Sequence, residues 1–185
     1  ILIARNVPKL EVFCKNLESK YNIKTKFAGF DFAKNSNPSQ YKEAFGEFLK
    51  EDISILINNV GAGLNTPFNE EYIEAQDEFL NINIKSQALM TRMFINNLLN
   101  RSNKSAIISL SSTAISLPLQ AGFFFYTAAK TFNDYFSKGI QDEFKHKLDV
   151  LSVQPAYVLT PMNHLLKKSF FVITPEECAE GVLND

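Results

Sequence analysis

Along this chain, short apolar or alternating runs are separated by longer amphipathic stretches, and that alternation narrows the fold more than any other feature. The runs lie at 1–4, 24–30, 53–57, 106–110 and 150–153. Strands of this kind, joined through helices, form a parallel sheet covered on both faces and wound with right-handed crossovers. The predicted class is therefore α/β, a doubly wound parallel sheet. Ligands of such sheets sit beyond the carboxyl ends of the strands. The small, polar and charged residues of note fall there: Arg5, Asp31, Asn58 to Gly61, Ser111 with Ser112, and the segment from Pro155 to Thr160.

The stretches between the runs carry helix signals. Asn6 can cap a first helix with Pro8 in its opening turn, and Leu10, Phe13, Leu17 and Tyr21 mark one apolar face. Asn37-Pro38 opens a second helix that buries Tyr41, Phe45, Phe48 and Leu49. Residues 70–100 are helical in one or two pieces, with Leu89, Met93 and Phe94 inward, and a further helix covers about 125–147. Thr174-Pro175-Glu176-Glu177 reads as a capping box for a last helix.

Composition enters mainly by exclusion. A length of 185 residues predicts one domain, spanning 1–185. A net charge of −1 and a pI near 6.2 offer no basic surface for nucleic acid. Cys14 and Cys178 make no disulfide framework, and with His146 and His164 in unrelated contexts they suggest no metal site. No apolar run approaches the ~18 residues of a membrane span. The chain starts at Ile1 inside an apolar run and stops at Asp185 soon after a helix start, so both ends read as cut.

The chemistry concentrates where Ala106 to Leu110 ends in Ser111 and Ser112, and where Tyr126 and Lys130 follow on a helix. Positions i and i+4 share a helix face, so phenol and ammonium can approach one pocket. A fixed cation stabilises a phenolate, and such a Tyr can exchange a proton near neutral pH. A surface Tyr-Lys pair is the plainer reading of the motif alone; five strand ends converging on one edge favour the chemical one.

Each strand end admits a ligand reading beside a structural one. Arg5 sits where a dinucleotide site places a carboxylate for a ribose hydroxyl or a cation for a 2′-phosphate, which suggests NADP(H) over NAD(H). Asp31 can accept from an adenine amino group or cap a turn. Asn59-Val60-Gly61 presents backbone without bulk to a flat ring or ribose. Gly61-Ala62-Gly63 is not a GxGxxG fingerprint. Asn83, a poor helix former in mid-helix, holds a kink, a water or a backbone group. Thr160 and the backbone of Val158 can meet a carboxamide, or Thr160 can cap a turn.

Taken together, Asn59-Val60-Gly61, Asn83, Ser112, Tyr126-x-x-x-Lys130 and Pro155-x-x-Val158-x-Thr160 resemble the short-chain dehydrogenase/reductase family, in its order and nearly its spacing, over essentially the whole chain. The branch most resembled is the very-long-chain 3-oxoacyl-CoA reductases with their 17β-hydroxysteroid dehydrogenase relatives. Asn58-Asn59-Val60-Gly61, Ala4-Arg5, Phe30-Asp31-Phe32-Ala33, Asn81-Ile82-Asn83-Ile84, Lys130-Thr131-Phe132 and Asp134-Tyr135-Phe136 carry that likeness.

The resemblance implies a Rossmann-like NADPH-dependent ketone reductase for a 3-oxoacyl-CoA or a steroid-like ketone. Tyr126 would protonate the carbonyl oxygen. Lys130 would lower the Tyr126 pKa and hold the nicotinamide ribose, and Ser112 would bind the carbonyl oxygen. Asn83 would hold a water linking Lys130 to solvent. Arg5, Asp31, Asn59, Gly61, Val158 and Thr160 would contact the cofactor. Membrane association, at the cytosolic face of the endoplasmic reticulum, would come through segments outside these residues, and a homodimer is compatible with the family.

Some features depart from the family pattern. The loop from Ser112 to Tyr126 is one residue longer than usual, which leaves Ser111 and Thr113 as alternative hydroxyls. Ala156 stands where many members have Gly. The family's first strand and glycine-rich phosphate loop should precede Ile1. The 185 residues alone are therefore expected to bind NADP(H) poorly and to fold marginally. A non-catalytic dinucleotide-binding regulator or scaffold is the competing function, and a reductase of another small carbonyl substrate a third. Phe123, Phe124, Phe125, Phe170 and Phe171 are candidates for an apolar substrate channel or for ordinary core.

Overall fold

The computed structural model describes residues 1–163, 167–169 and 172–184. Its first strand, β1 (Leu2–Ala4), leads into α1 (Val7–Tyr21). The Asn6 side chain accepts from the Lys9 N–H at 3.0 Å, as its cap role requires. Asn22 ends the helix at φ 52°, the left-handed conformation that Asn tolerates best after Gly. The buried face differs from the one expected. Leu10 and Cys14 are buried, whereas Phe13 and Tyr21 are more than half exposed. Four-residue spacing from Leu10 selects Cys14, and Phe13 lies off that line.

Strand β2 (Phe27–Gly29) is shorter than the expected 24–30, with Lys24 and Thr25 outside the strand and the Lys26 carbonyl accepting from the Leu2 N–H at 2.8 Å. It pairs in parallel with β1, Leu2 opposite Phe27 and Ala4 opposite Gly29. Next, α2 (Pro38–Phe45) starts on a complete capping box between Asn37 and Gln40 and tightens into a 3-10 turn, Gly46–Lys50. Tyr41, Phe45 and Phe48 are buried as expected, while Leu49 is not. Phe30, Phe32, Tyr41 and Phe45 form a nest of rings with centroids 4.7–6.3 Å apart, mostly edge to face. Ring quadrupoles favour that geometry, and each such pair contributes about 1 kcal/mol beyond its buried area.

Strand β3 (Ile55–Asn58) follows, then α3 (Ile73–Leu80), a π-helical turn at Asn81–Lys85 and α4 (Ser86–Leu99). Phe94 and Leu98 bury one side of α4, and Leu89 and Met93 are partly buried. Then come β4 (Ser105–Leu110), α5 (Phe124–Phe144) and β5 (Leu148–Val153). Strands β3, β4 and β5 form one parallel sheet with β4 central. A short parallel pair, β6 (Tyr157–Val158) with β7 (Val172–Ile173), was not anticipated. It precedes α6 (Pro175–Asn184), whose capping box is formed by Thr174 and Glu177.

The sheet is incomplete, as expected of a doubly wound fold without the family's first strand. Among the described residues β1 bonds only to β2, and β3 only to β4. Between the facing edges of β1 and β3 lies an open slot of about 1060 Å³, lined by Leu2, Ile3, Leu56, Ile57, Met90 and Phe94. Ile55 and Ile57 are 49% and 57% exposed. Ile3 and Leu56 reach the same aromatic cluster, yet their backbones are too far apart for ladder bonds, which need strands about 4.8 Å apart. The architecture is a doubly wound parallel sheet, incomplete at its centre.

Candidate active site

Four elements bring the site together: the ends of β3 and β4, the π-helical turn and the first turns of α5. Past β4, Ser111 and Ser112 divide the two tasks open to a hydroxyl. The Ser111 side chain is buried and donates to the Lys130 carbonyl at 2.7 Å, tying β4 to α5. Ser112 caps a 3-10 turn, Thr113–Ser116, its oxygen accepting from the Ala114 N–H at 3.2 Å. Its side chain also stands close enough to the Tyr126 phenol to lower the phenol's pKa. Thr113 turns to the Pro155 carbonyl, 3.4 Å away. Of the three candidate hydroxyls, only Ser112 meets Tyr126.

Lys130 is 5% exposed, and its ammonium donates to the Leu110 carbonyl at 2.9 Å. The same ammonium stands 5.7 Å from the centroid of the Tyr126 ring, over its face. Burial disfavours the charged form and pushes the Lys130 pKa down to about 8. The expectation that Lys130 lowers the Tyr126 pKa is corrected here. Burial raises the phenol, and what opposes it is the nearby Ser112 side chain. Phe123 stacks on Tyr126 at 4.8 Å and fixes the ring plane.

Asn83 is 1% exposed in the π-helical turn, and its amide satisfies two backbone groups. Its nitrogen donates to the Phe79 carbonyl at 3.0 Å and its oxygen accepts from the Ala62 N–H at 3.1 Å. The kink expected at this Asn is thus a widened turn, held open by a side chain that bonds helix and loop at once. Gly61 lies directly against the pair: a Cβ there would come 3.3 Å from Lys130 Nζ and 3.4 Å from Asn83 Oδ1. The bare backbone leaves an approach to the ammonium that any side chain would crowd.

The remaining predicted positions sit along the same carboxyl edge. Arg5 follows β1 and is exposed. Asp31 follows β2, where one carboxylate oxygen accepts from the Ala33 N–H at 3.0 Å and its carbonyl serves Asn35, so it does cap a turn. Asn59 is exposed after β3, while Asn58 turns inward to Thr91 at 3.0 Å. Val158 pairs in register with Ile173, and Thr160 lies two residues on, half-buried. Of the five Phe candidates, Phe125 packs on Phe68 and Phe79, Phe124 on Phe68, and Phe123 on Tyr126. Phe170 and Phe171 lie outside the described residues.

A family model described as "short chain dehydrogenase" matches residues 1–169. The chain belongs to that family. It is 36% identical over 182 residues to the very-long-chain 3-oxoacyl-CoA reductase of Anas platyrhynchos, covering 95% of this chain and 56% of that protein. It is 31% identical over 194 residues to the human inactive hydroxysteroid dehydrogenase-like protein 1, covering all of this chain and 57% of that one. The chain thus spans a little over half the length of these relatives. Among solved structures, an alcohol dehydrogenase from Thermococcus sibiricus complexed with 5-hydroxy-NADP superposes with a TM-score of 0.83 at 19% identity, over 97% of this chain and 76% of that one.

Within this short-chain dehydrogenase, the sequence reading missed a second layer of buried polar groups. Gln87, Ser109, Asn133, Asp134 and Ser137 are all at most 6% exposed. Asp134 accepts from Ser152 at 2.7 Å and Gln154 at 3.1 Å, clamping α5 to β5. The available signal was polar residues at inward positions of helices whose neighbours are apolar. Among the described residues, no cluster of His, Cys, Asp or Glu is arranged for a metal, and no helix is long and apolar enough to cross a membrane.

Proposed function

We propose that this chain is the NAD(P)-binding domain of an NADPH-dependent ketone reductase whose substrate is a very-long-chain 3-oxoacyl-CoA. The observation that carries the reading is the meeting of Tyr126, Ser112, Lys130 and Asn83 at one edge of the sheet. The 36% identity to the duck enzyme supports the acyl-CoA substrate. The exposed and half-buried rings of Phe68, Phe124 and Phe125 beside the site suit an apolar chain.

The cofactor fits the residues present. A lysine ammonium has three donors; one goes to the Leu110 carbonyl, and the bare backbone of Gly61 lies beside the ammonium, which leaves room there for a ribose diol. NADPH, when bound, supplies the hydride. Tyr126 donates its proton to the carbonyl oxygen. Its pKa, raised by burial, keeps the phenol protonated at neutral pH, which suits reduction over oxidation. Ser112 bonds the same oxygen and stabilises the charge developing on it. Lys130 holds the ribose, and Asn83 holds a water that returns protons towards Lys130 from solvent. Arg5 favours a 2′-phosphate, and Asp31, Asn59, Gly61, Val158 and Thr160 complete the cofactor contacts. The branch's habit places the whole protein at the endoplasmic reticulum membrane.

A second reading, a dinucleotide-binding protein without activity, is favoured by the 31% identity to a relative named inactive. A 17β-hydroxysteroid-type ketone is the alternative substrate within the first reading. The deciding experiment is Tyr126→Phe in the whole protein, assayed with NADPH and a long-chain 3-oxoacyl-CoA. Turnover is expected to fall by at least ~100-fold with NADPH affinity unchanged. Turnover at the wild-type rate overturns the catalytic reading, and no turnover in the wild type with any ketone favours the inactive one.

A further inference from the structure

One buried side chain at the centre of the fold has no part in that chemistry. Gln87, in the first turn of α4, is 4% exposed. Its amide nitrogen lies 3.3 Å from each of three acceptors on two other elements: the Ser109 hydroxyl of β4, and the Asn133 carbonyl and Ser137 hydroxyl of α5. The amide has two hydrogens for these three sites, and Ser137 itself donates to the Asn133 carbonyl at 2.7 Å. An apolar side chain would fill the same space without a desolvation cost. Burying an amide costs about 1–3 kcal/mol unless it is bonded, and its bonds are directional. A bonded amide here therefore specifies alignment more than it adds stability.

The alignment in question is that of the site. Ser109 on β4 and Ser111 just past its end are two apart and face the same way. Ser111 grips the Lys130 carbonyl and Ser109 meets Gln87. On α5, Lys130, Asn133 and Ser137 are three and seven apart along one face. On the segment facing it, Gln87 lies one turn past Asn83. Two successive rungs thus cross from β4 to α5, and the second also includes α4. A slip of α5 by a fraction of a turn would break both rungs together.

Resting on the reading of Tyr126 as proton donor, we infer that Gln87 is a positioning residue. It sets the register of α5 against β4 and α4, and so holds Tyr126 and Lys130 opposite Ser112 and Asn83. The test uses the whole protein with Gln87→Met, which keeps the length and removes the amide. Circular dichroism and NADPH fluorescence titration report folding and cofactor affinity, and steady-state assays with NADPH and a long-chain 3-oxoacyl-CoA report kcat, KM and the pH–rate profile.

The expected result is a folded protein with NADPH affinity within about threefold of wild type and KM unchanged. Its kcat falls roughly 10- to 100-fold, with a displaced pH–rate profile, as misplacement of reacting groups by under 1 Å produces. A folded variant with wild-type kcat and pH profile overturns the inference, and so does a kcat loss that merely follows the unfolded fraction. If Gln87→Met does not fold, Ser137→Ala, which removes one acceptor, must still displace the profile; an unchanged profile there overturns it. Loss of activity in Tyr126→Phe beside a wild-type Gln87→Met removes this inference alone. Wild-type turnover in Tyr126→Phe removes both.

Discussion

The Lys130 ammonium donates to the Leu110 carbonyl at 2.9 Å, at the point where β4 gives way to Ser111 and Ser112. A charge is thereby held in the interior by one backbone dipole, and burial depresses its pKa to about 8. The folded state then binds fewer protons than the unfolded chain between about pH 8 and the ordinary lysine value near 10.4. Stability must rise with pH through that window and pay the full penalty below it. Lys130→Met in the whole protein is expected to be more stable than wild type at pH 7 by on the order of 2 kcal/mol, after allowance for the lost Leu110 bond. The gap should close by pH 10. Urea denaturation at both pH values measures it, and a gap independent of pH would refute the assignment.

Ser111 and Ser112 are neighbours whose expected phenotypes differ in turnover. Ser111→Ala removes a buried bond to the Lys130 carbonyl and should lower stability by about 1 kcal/mol with little change in turnover of the folded fraction. Ser112→Ala loses the cap bond to the Ala114 N–H and with it about 1 kcal/mol of stability, and in addition lowers kcat of the folded fraction roughly 100-fold. Thermal melts and steady-state kinetics on both variants decide it; reversed phenotypes would move the carbonyl contact to Ser111.

Tyr41 is 2% exposed, and its hydroxyl is buried without a hydrogen-bond partner among the described residues. Tyr41→Phe keeps the ring contacts with Phe30, Phe32 and Phe45 and should stabilise the protein by about 1 kcal/mol. Burial also pushes the Tyr41 pKa up to about 12. The folded state retains a proton that the unfolded chain loses above pH 10, so wild-type stability falls between pH 10 and 12. The advantage of the variant should widen over that range, as denaturant titrations at pH 8 and pH 11 would record.

The slot between β1 and β3 leaves two strand edges unpaired and Ile55 and Ile57 uncovered. The 185 residues expressed alone should therefore unfold at low denaturant with a shallow transition. Their NADPH affinity should be weaker than micromolar. A fluorescence titration giving a micromolar or tighter Kd would contradict this.

Much of the site was legible in the sequence because its residues lie next to local signals. Tyr126 and Lys130 share a helix face by spacing alone, and Asn6, Asn37 and Thr174 announce their helices through hydrogen bonds spanning three residues. The order of strands and helices follows from the same short-range periodicities. The choice among Ser111, Ser112 and Thr113 was not legible, since three adjacent hydroxyls differ only in which distant group each meets. Nor was the direction of the Tyr126 pKa, which depends on how deeply the phenol is buried.

From its sequence alone this protein's class, the order of its main strands and helices, and the shared helix face of Tyr126 and Lys130 were legible, because each depends on contacts within a few positions. Tertiary structure decided which hydroxyl faces the phenol, that Gln87 joins β4 to α5, and that the sheet stands open between β1 and β3. Those features depend on groups from 14 to about 50 positions apart. Pattern along the chain carries no information about such distances until packing brings the groups together.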